Sequence, residues 1–256
     1  MKFSQVNLNR SHTAANDLTA FLADHHGQSE LISLIQEPYC YRNKVCCLNK
    51  KNMDLLYKQG SGRPRAAIYS TLGAGLTVIP ELTTVDCVTA LWPQHKDRDV
   101  VVCSAYLDIE KAVLTPELKN VVTYCEDNRL GLILGMDSNA HSTLWGNEDN
   151  NPRGDALEEY VMENILDCHN IPDQPTFIGR GCSTTIDLTL SNRHFTGEIL
   201  NWTTNDEAVT TDHTLITFDC EAHNRIKAPK NYIFSCLLYT SPSPRDGATS
   251  RMPSSA

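Results

Sequence analysis

The stretch GLILGMDSNAH, Gly131 to His141, decides how this chain folds. Gly131–Met136 is an unbroken apolar run of strand length and reads as a buried strand. The run turns polar at once, so the strand hands Asp137 and Asn139 to the loop at its end. The same pattern recurs outward in both directions. Upstream, Pro116–Asn128 carries Leu118, Val121, Val122 and Cys125 on one helical face, with Pro116 in the first turn, where an N–H has no partner anyway. Val100–Tyr106, Cys87–Leu91, Leu76–Ile79 and Ala66–Tyr69 read as strands, and Gly60, Gly62, Gly73 and Gly75 punctuate the loops. Leu31–Gln36 is a buried strand ending at Glu37-Pro38. Before it, Ser11 caps a helix with Ala14, Leu18, Phe21 and Leu22 on its apolar face, and Phe3–Leu8 is a strand. Downstream, Asp155–Asn164 reads as a helix, and Thr185–Leu190, Ile199–Trp202 and Leu215–Phe218 as strands. Hairpin-like strand pairs are too many for a purely parallel sheet, so the expectation is a mixed α/β fold without internal repeats.

Composition bounds the function. With 41% apolar and 21% charged residues in 256, the chain has the material for a packed core, which excludes a wholly disordered chain or a fibre. No apolar run approaches the roughly 18 residues of a membrane span, and Met1–Arg10 lacks the apolar segment of a secretory signal. The ten cysteines are scattered, several within apolar runs, and form no CxxC pair, which points to reduced, buried thiols in an intracellular setting. A formal charge of −9 argues against a simple nucleic-acid binder. The charge is uneven, however: between Arg42 and Arg65 there are seven basic residues and one acid, Asp54. That stretch is either a solvated loop or a local phosphate-contacting surface. Residues 236–256 are rich in Ser and Pro, have no periodicity, and are expected to be a disordered, non-native tail like a translated sequencing adapter; without them the net charge is −10.

The chemistry-bearing residues stand at strand ends. The first strand ends in Asn7 and Asn9, the second delivers Glu37, Val100–Tyr106 delivers Tyr106, and Thr210–His213 places Asp212 and His213 just before the last strand. Asp187 lies inside TTIDLTLS, where a buried carboxylate needs a partner. Singly, each is ordinary: a Glu-Pro turn, an Asp-x-Asn cap, a surface Asp-His pair, a core Tyr, a structural salt bridge. In this order and together they are not.

The constellation resembles the endonuclease/exonuclease/phosphatase superfamily over nearly all of Met1–Asp219. It rests on QVNLN at the first strand, QEPY at 36–39, GMDSNAHSTLWG at 135–146, TTIDLTLS at 184–191 and TDH at 211–213. SGRPRAAI at 61–68 and NPRGDALEE at 151–159 bring the wording closer still to the endonuclease domain of non-LTR (LINE-type) retrotransposons. The resemblance implies a deoxyribonuclease I-like fold, a four-layer α/β sandwich of two mixed sheets flanked by helices. It implies a domain over residues 1–221, with 222–235, which include NYIFS, starting a linker toward a reverse transcriptase that this chain does not contain. It further implies a Mg²⁺-dependent endonuclease (Mn²⁺ as the alternative) that nicks double-stranded DNA and leaves a 3′ hydroxyl to prime reverse transcription. Hard oxygen ligands suit Mg²⁺, which takes few carboxylates. Glu37 is the expected main metal ligand, with Asn7 and Asp212. Asp137 would polarise the attacking water, Asn139 support it, His213 bond the scissile phosphate, Asp187 hold the His213 ring and Tyr106 orient a phosphate oxygen. Lys50, Lys51, Arg63, Arg65 and His141 are the expected DNA contacts. Asn9 stands where apurinic endonucleases carry Asp, which weakens a second metal ligand there. The implied partners are DNA, the element RNA and a reverse transcriptase domain, with no membrane, and the implied place of action is the nucleus. The competing readings are a small-molecule phosphatase or phosphodiesterase on the same fold and a non-catalytic, decayed element fragment.

Overall fold

The computed structural model describes residues 1–25, 30–48, 52–60, 62–94, 99–179 and 181–221. The linker and tail expected from residue 222 onward lie outside the described residues, as do Lys50 and Lys51. In chain order, β1 (Lys2–Asn7) leads through α1 (His12–His25) into β2 (Leu31–Gln36), the hairpin β3 (Cys40–Tyr41) and β4 (Lys44–Val45), and β5 (Met53–Leu56). Next come β6 (Ala66–Thr71), β7 (Thr77–Val78), β8 (Cys87–Trp92), β9 (Val100–Tyr106), α2 (Pro116–Asp127), β10 (Gly131–Asp137) and α3 (Pro152–Glu163). The chain closes with β11 (Leu166–Cys168), the hairpin β12 (Phe177–Gly179) and β13 (Cys182–Thr184), β14 (Asp187–Asn192), β15 (Glu198–Asn205) and β16 (Leu215–Glu221).

These strands form two six-stranded sheets, ordered β15-β16-β1-β2-β6-β5 and β11-β14-β10-β9-β8-β7. Both are mixed: β1 runs parallel to β2 and β9 to β10, and the other pairings in the two sheets are antiparallel. Apolar runs such as LISLIQ and GLILGM bury both faces because each sheet is covered twice. Phe3, Ile32, Leu34 and Ile68 of the first sheet pack on Val88, Val100, Val102 and Ile133 of the second, and this is the central core. The outer face of the first sheet takes Ala14, Ala15, Leu18 and Leu22 of α1. The outer face of the second takes Leu118, Val121, Val122 and Cys125 of α2 and Leu157 and Val161 of α3. The described residues thus form a sandwich of mixed α/β sheets flanked by helices, as expected. Among the described residues the cysteines are free thiols, and no helix is long and apolar enough to cross a membrane.

The central interface is not wholly apolar. Gln5 Nε2 donates to the Leu188 carbonyl at 3.2 Å, and Gln5 Oε1 accepts from Thr189 Oγ1 at 3.0 Å. Gln36 Nε2 donates to the Gly135 carbonyl at 3.2 Å and to Ser104 Oγ at 3.1 Å. These bonds join the sheets at the end where the polar residues gather, so the relative position of the strand ends is set by directional bonds as well as by packing.

Candidate active site

Neighbouring strand ends bring the polar residues together. In the second sheet Asp137 ends β10, with Tyr106 of β9 in parallel register on one side and Asp187 of β14 opposite it on the other. The first sheet supplies Asn7 at the end of β1, Glu37 after β2, and Asp212 and His213 before β16. Asn7, Glu37, Asp137, Asp187 and His213 are all buried. Polar groups out of water need partners, and most are found across the sheets. Asn7 Nδ2 donates to Asp137 Oδ2 at 2.8 Å, and Asn7 Oδ1 accepts the Asn9 N–H at 2.8 Å. His213 Nδ1 donates to Asp187 Oδ2 at 2.8 Å, and the ring is covered by Phe177, 5.1 Å away between centroids. The partner that a buried Asp187 requires is therefore His213. Asn9 Nδ2 donates to Asp212 Oδ1 at 3.2 Å, so the Asn at this position reaches the acid through its amide. Asn139 takes a left-handed φ of 48°, donates its N–H to Asp137 Oδ1 at 3.1 Å and its Nδ2 to the Leu107 carbonyl at 3.2 Å.

Crowding two carboxylates and an imidazole out of water shifts their protonation. Burial, then the charge of Asp187, pushes the Asp137 carboxyl up to about 7, against the opposing pull of His213 and the Asn7 and Asn139 bonds. Burial opposes the His213 charge, but the adjacent Asp187, with Asp137 and Asp212 behind it, outweighs burial and raises the ring to about 9. Burial and the charges of Glu37, Asp137 and Asp108 push the Tyr106 phenol up to about 12. Asp137, Asp187 and His213 each offer a ligand atom, and these atoms lie within 4.8 Å of one another. Asp187 Oδ1 is buried with no hydrogen-bond partner, an acceptor atom left for a cation or a donor. Among the described residues, the cluster that could hold a divalent ion is thus Asp137, Asp187 and His213.

The expected residues do not all sit alike. The compact set is Asp137, Asp187 and His213, with Asn7 and Asn139 bonded to it. Glu37, expected as the main metal ligand, has a φ of 42° and is ion-paired with Arg10, whose N–H also donates to the Glu37 carbonyl at 2.9 Å. Arg63 is exposed, as a phosphate contact must be. Arg65 is not available in that way: Nε meets Asp86 at 2.5 Å, Nη2 meets Asp86 at 2.6 Å and Nη1 meets Asp108 at 2.7 Å, while the guanidinium stacks 5.0 Å over the Tyr106 ring. It fixes Tyr106 from behind, and the dense basic stretch loses one member as a DNA contact. His141 is half-buried, and its backbone bonds to Asn151. Gln5, Gln36, Arg10 and Arg153 also bear on the site, although no role for them is expected from the sequence. Two of these carry a signal, since Gln5 and Gln36 open QVNLN and QEPY, where a glutamine in an otherwise apolar strand needs a buried partner.

Two stacked mixed sheets with an Asp-His pair, a second buried aspartate and a Glu at converging strand ends define the endonuclease/exonuclease/phosphatase class of fold and site. Comparison with known proteins agrees. A family model described as endonuclease-reverse transcriptase matches residues 100–217. The endonuclease domain of TRAS1, a telomere-specific non-LTR retrotransposon, superposes with a TM-score of 0.72 at 27% identity, covering 88% of this chain and 99% of that one. A putative 115 kDa protein in the type-1 retrotransposable element R1DM of Drosophila melanogaster is 25% identical over 230 residues, 86% of this chain and 22% of that protein. A retrovirus-related Pol polyprotein from the type-1 retrotransposable element R1 of Bradysia coprophila is 32% identical over 108 residues, 39% of this chain. The chain spans only 22% and 11% of the length of these two relatives. These matches make the chain similar, over most of its described length, to the non-LTR retrotransposon endonucleases of TRAS1 and R1 type within the endonuclease/exonuclease/phosphatase superfamily.

Proposed function

We propose that this chain is a Mg²⁺-dependent DNA endonuclease that nicks one strand and leaves a 3′ hydroxyl to prime reverse transcription of its element. The observation that carries the reading is the buried Asp187–His213 pair beside Asp137, at strand ends contributed by both sheets. Glu37, with Asn7 and Asp212, would hold the cation, with Mn²⁺ as a substitute. When bound, it supplies neutralisation of charge building on the phosphate. The protein's own groups do the rest. His213, protonated up to about pH 9 and with Nδ1 engaged by Asp187, offers Nε2 as a donor to a non-bridging phosphate oxygen. Asp137, buried beside Asp187, would take a proton from an attacking water. Asn139 keeps the Asp137 carboxylate oriented through its N–H, and Tyr106, stacked against Arg65, orients a phosphate oxygen. Exposed Arg63, with Lys50, Lys51 and His141, would contact backbone phosphates, a local attraction that an overall charge of −9 otherwise opposes. DNA, element RNA and a reverse transcriptase domain beyond residues 222–235 are the partners this reading supplies, and the nucleus is where it acts.

The test is conversion of supercoiled plasmid to open circles in Mg²⁺ and in chelator, followed by polymerase extension from the nick. Nicking in Mg²⁺ alone, with extendable ends, is the expected result, and Glu37→Gln should lower the rate by orders of magnitude while the fold survives. An intact plasmid in both Mg²⁺ and Mn²⁺, or hydrolysis of small phosphate esters only, would overturn the reading.

A further inference from the structure

The segment Asn151-Pro152-Arg153-Gly154 opens α3 and lies against both loops that carry the site. Asn151 caps the helix, its Oδ1 accepting the Gly154 N–H at 2.7 Å and also the His141 N–H at 3.3 Å, while its own N–H donates to the His141 carbonyl at 3.0 Å. A side chain at Gly154 would place its Cβ 1.7 Å from the His141 carbonyl oxygen, so only glycine lets the helix end approach this closely. Arg153 gives its whole guanidinium to main-chain oxygens: Nε to Ser138 at 2.9 Å, Nη2 to Leu107 at 2.9 Å, and Nη1 to Lys111. Ser138 lies between Asp137 and Asn139, and Leu107 directly follows Tyr106. The Leu107 carbonyl is shared, because it also accepts Asn139 Nδ2 at 3.2 Å, and the Leu107 N–H donates to the Asp137 carbonyl at 2.9 Å. All three acceptors are carbonyls, which give each nitrogen of the guanidinium one hydrogen-bond partner without neutralising its charge. Burial lowers the pKa of the Arg153 guanidinium, and the nearby Asp137, Asp108 and Tyr106 oppose that lowering.

We infer that Arg153 is a positioning residue for the hydrolytic site: it locks the Asp137-Ser138-Asn139 turn against the Tyr106-Leu107 strand end and leaves an unneutralised positive charge behind it. The inference rests on the nuclease reading above, and its test separates the two. Arg153→Ala and Arg153→Lys are made in the full chain. Nicking kinetics are measured over a range of plasmid concentrations, and amide hydrogen exchange is followed in the metal-free protein across residues 107–111 and 137–142. Arg153→Ala should lower kcat by roughly 10²-fold, as expected for sub-ångström to 1 Å misplacement of reacting groups, with little change in KM, and both segments should exchange faster. Arg153→Lys keeps the charge but not the three-way fork, so its kcat should lie between the other two. If Arg153→Ala does not fold, the lysine variant carries the comparison. A parental kcat in the alanine variant, a loss confined to KM, or unchanged exchange at 137–142 would overturn the inference. A wild-type chain that never nicks would instead remove the nuclease reading, and the exchange data alone would then decide whether Arg153 holds the turn.

Discussion

At the scale of single residues, the cost of burying charge governs the site. An aspartate inside an apolar strand demands a partner from the sequence alone, and Asp187 has one in His213 at 2.8 Å. Asp187→Asn keeps the shape and removes the charge, so the ring at position 213 loses the main influence that holds it at about 9 and drops toward or below the ordinary histidine range. The protonated ring is the form that donates to phosphate, so the basic limb of the nicking profile should move down from about pH 9 to a clearly lower pH. At pH 8 the rate should fall by roughly 10²-fold or more. A pH–rate profile from 6 to 10 checks this, and an unmoved basic limb would contradict the role of Asp187. Other residues are not legible in this way. Arg10 carries no expectation from the sequence and is ion-paired with Glu37, and Arg65 reads along the chain as a member of the basic stretch yet is paired with Asp86 and Asp108. Those acids are 27, 21 and 43 residues away in sequence. Charge patterning gives the number of basic residues but not which of them are already paired.

At the scale of elements, the buried strands are the legible part. Val100–Tyr106 and Leu31–Gln36 form where the sequence places them, and Gly131–Met136 extends by one residue to include Asp137. Apolar runs of this length flanked by polar turns are too short for a buried helix, which needs about 10–12 residues, and so read as strands covered on both faces. The hairpins β3–β4 and β12–β13, with β5 and β11, escape a reading of the sequence, because strands of two to four residues with mixed burial carry no period. Helix α3 starts at Pro152 and not at Asp155, because Asn151 caps it and Pro152 occupies its first turn. The pairing of sheets is also out of reach of periodicity, since the alignment depends on Gln5 and Gln36 reaching carbonyls of the opposite sheet. Gly135 shows how tightly they meet: an added Cβ would lie 2.6 Å from Leu34 Cδ1 and 2.7 Å from Gln5 Oε1. The glutamine cannot swing away without breaking its bonds to Thr189 and Leu188. Gly135→Ala should therefore destabilise the fold by about 1–3 kcal/mol through overpacking, read as a lower urea midpoint at unchanged m-value. A midpoint equal to the parent's would mean that the sheets can part at no energetic cost.

At the scale of the whole molecule, the site makes stability depend on pH in an unusual direction. Acid denaturation ordinarily follows from carboxylates whose pKa is depressed in the fold. Here the two buried site groups with raised values act the other way. His213 is raised from an ordinary value of 6.5 to about 9, so its contribution is fully present below 6.5 and is lost as pH rises through about 9. Asp137 is raised from 3.8 to about 7, so the folded state again holds the proton more tightly than the unfolded chain, and its contribution is lost as pH rises from 3.8 through about 7. Between pH 6 and 9 both losses run in the same direction. In chelator, the protein should therefore become less stable from pH 6 to pH 9, by something on the order of 4 kcal/mol at most, since a tenfold change in proton affinity between folded and unfolded chain is worth about 1.4 kcal/mol. A divalent cation should reverse the trend, because it binds the deprotonated carboxylates of the folded state and stabilises by mass action. The measurement is the thermal midpoint at pH 6, 7.5 and 9, with chelator and with saturating Mg²⁺. The Asp187→Asn variant is the control, and its midpoint in chelator should depend less steeply on pH because the His213 contribution is gone. A metal-free midpoint that stays level or rises toward pH 9 would mean that the buried Asp137 and His213 are solvated well enough to titrate like exposed groups, and the low-dielectric site that their burial implies would not exist in solution.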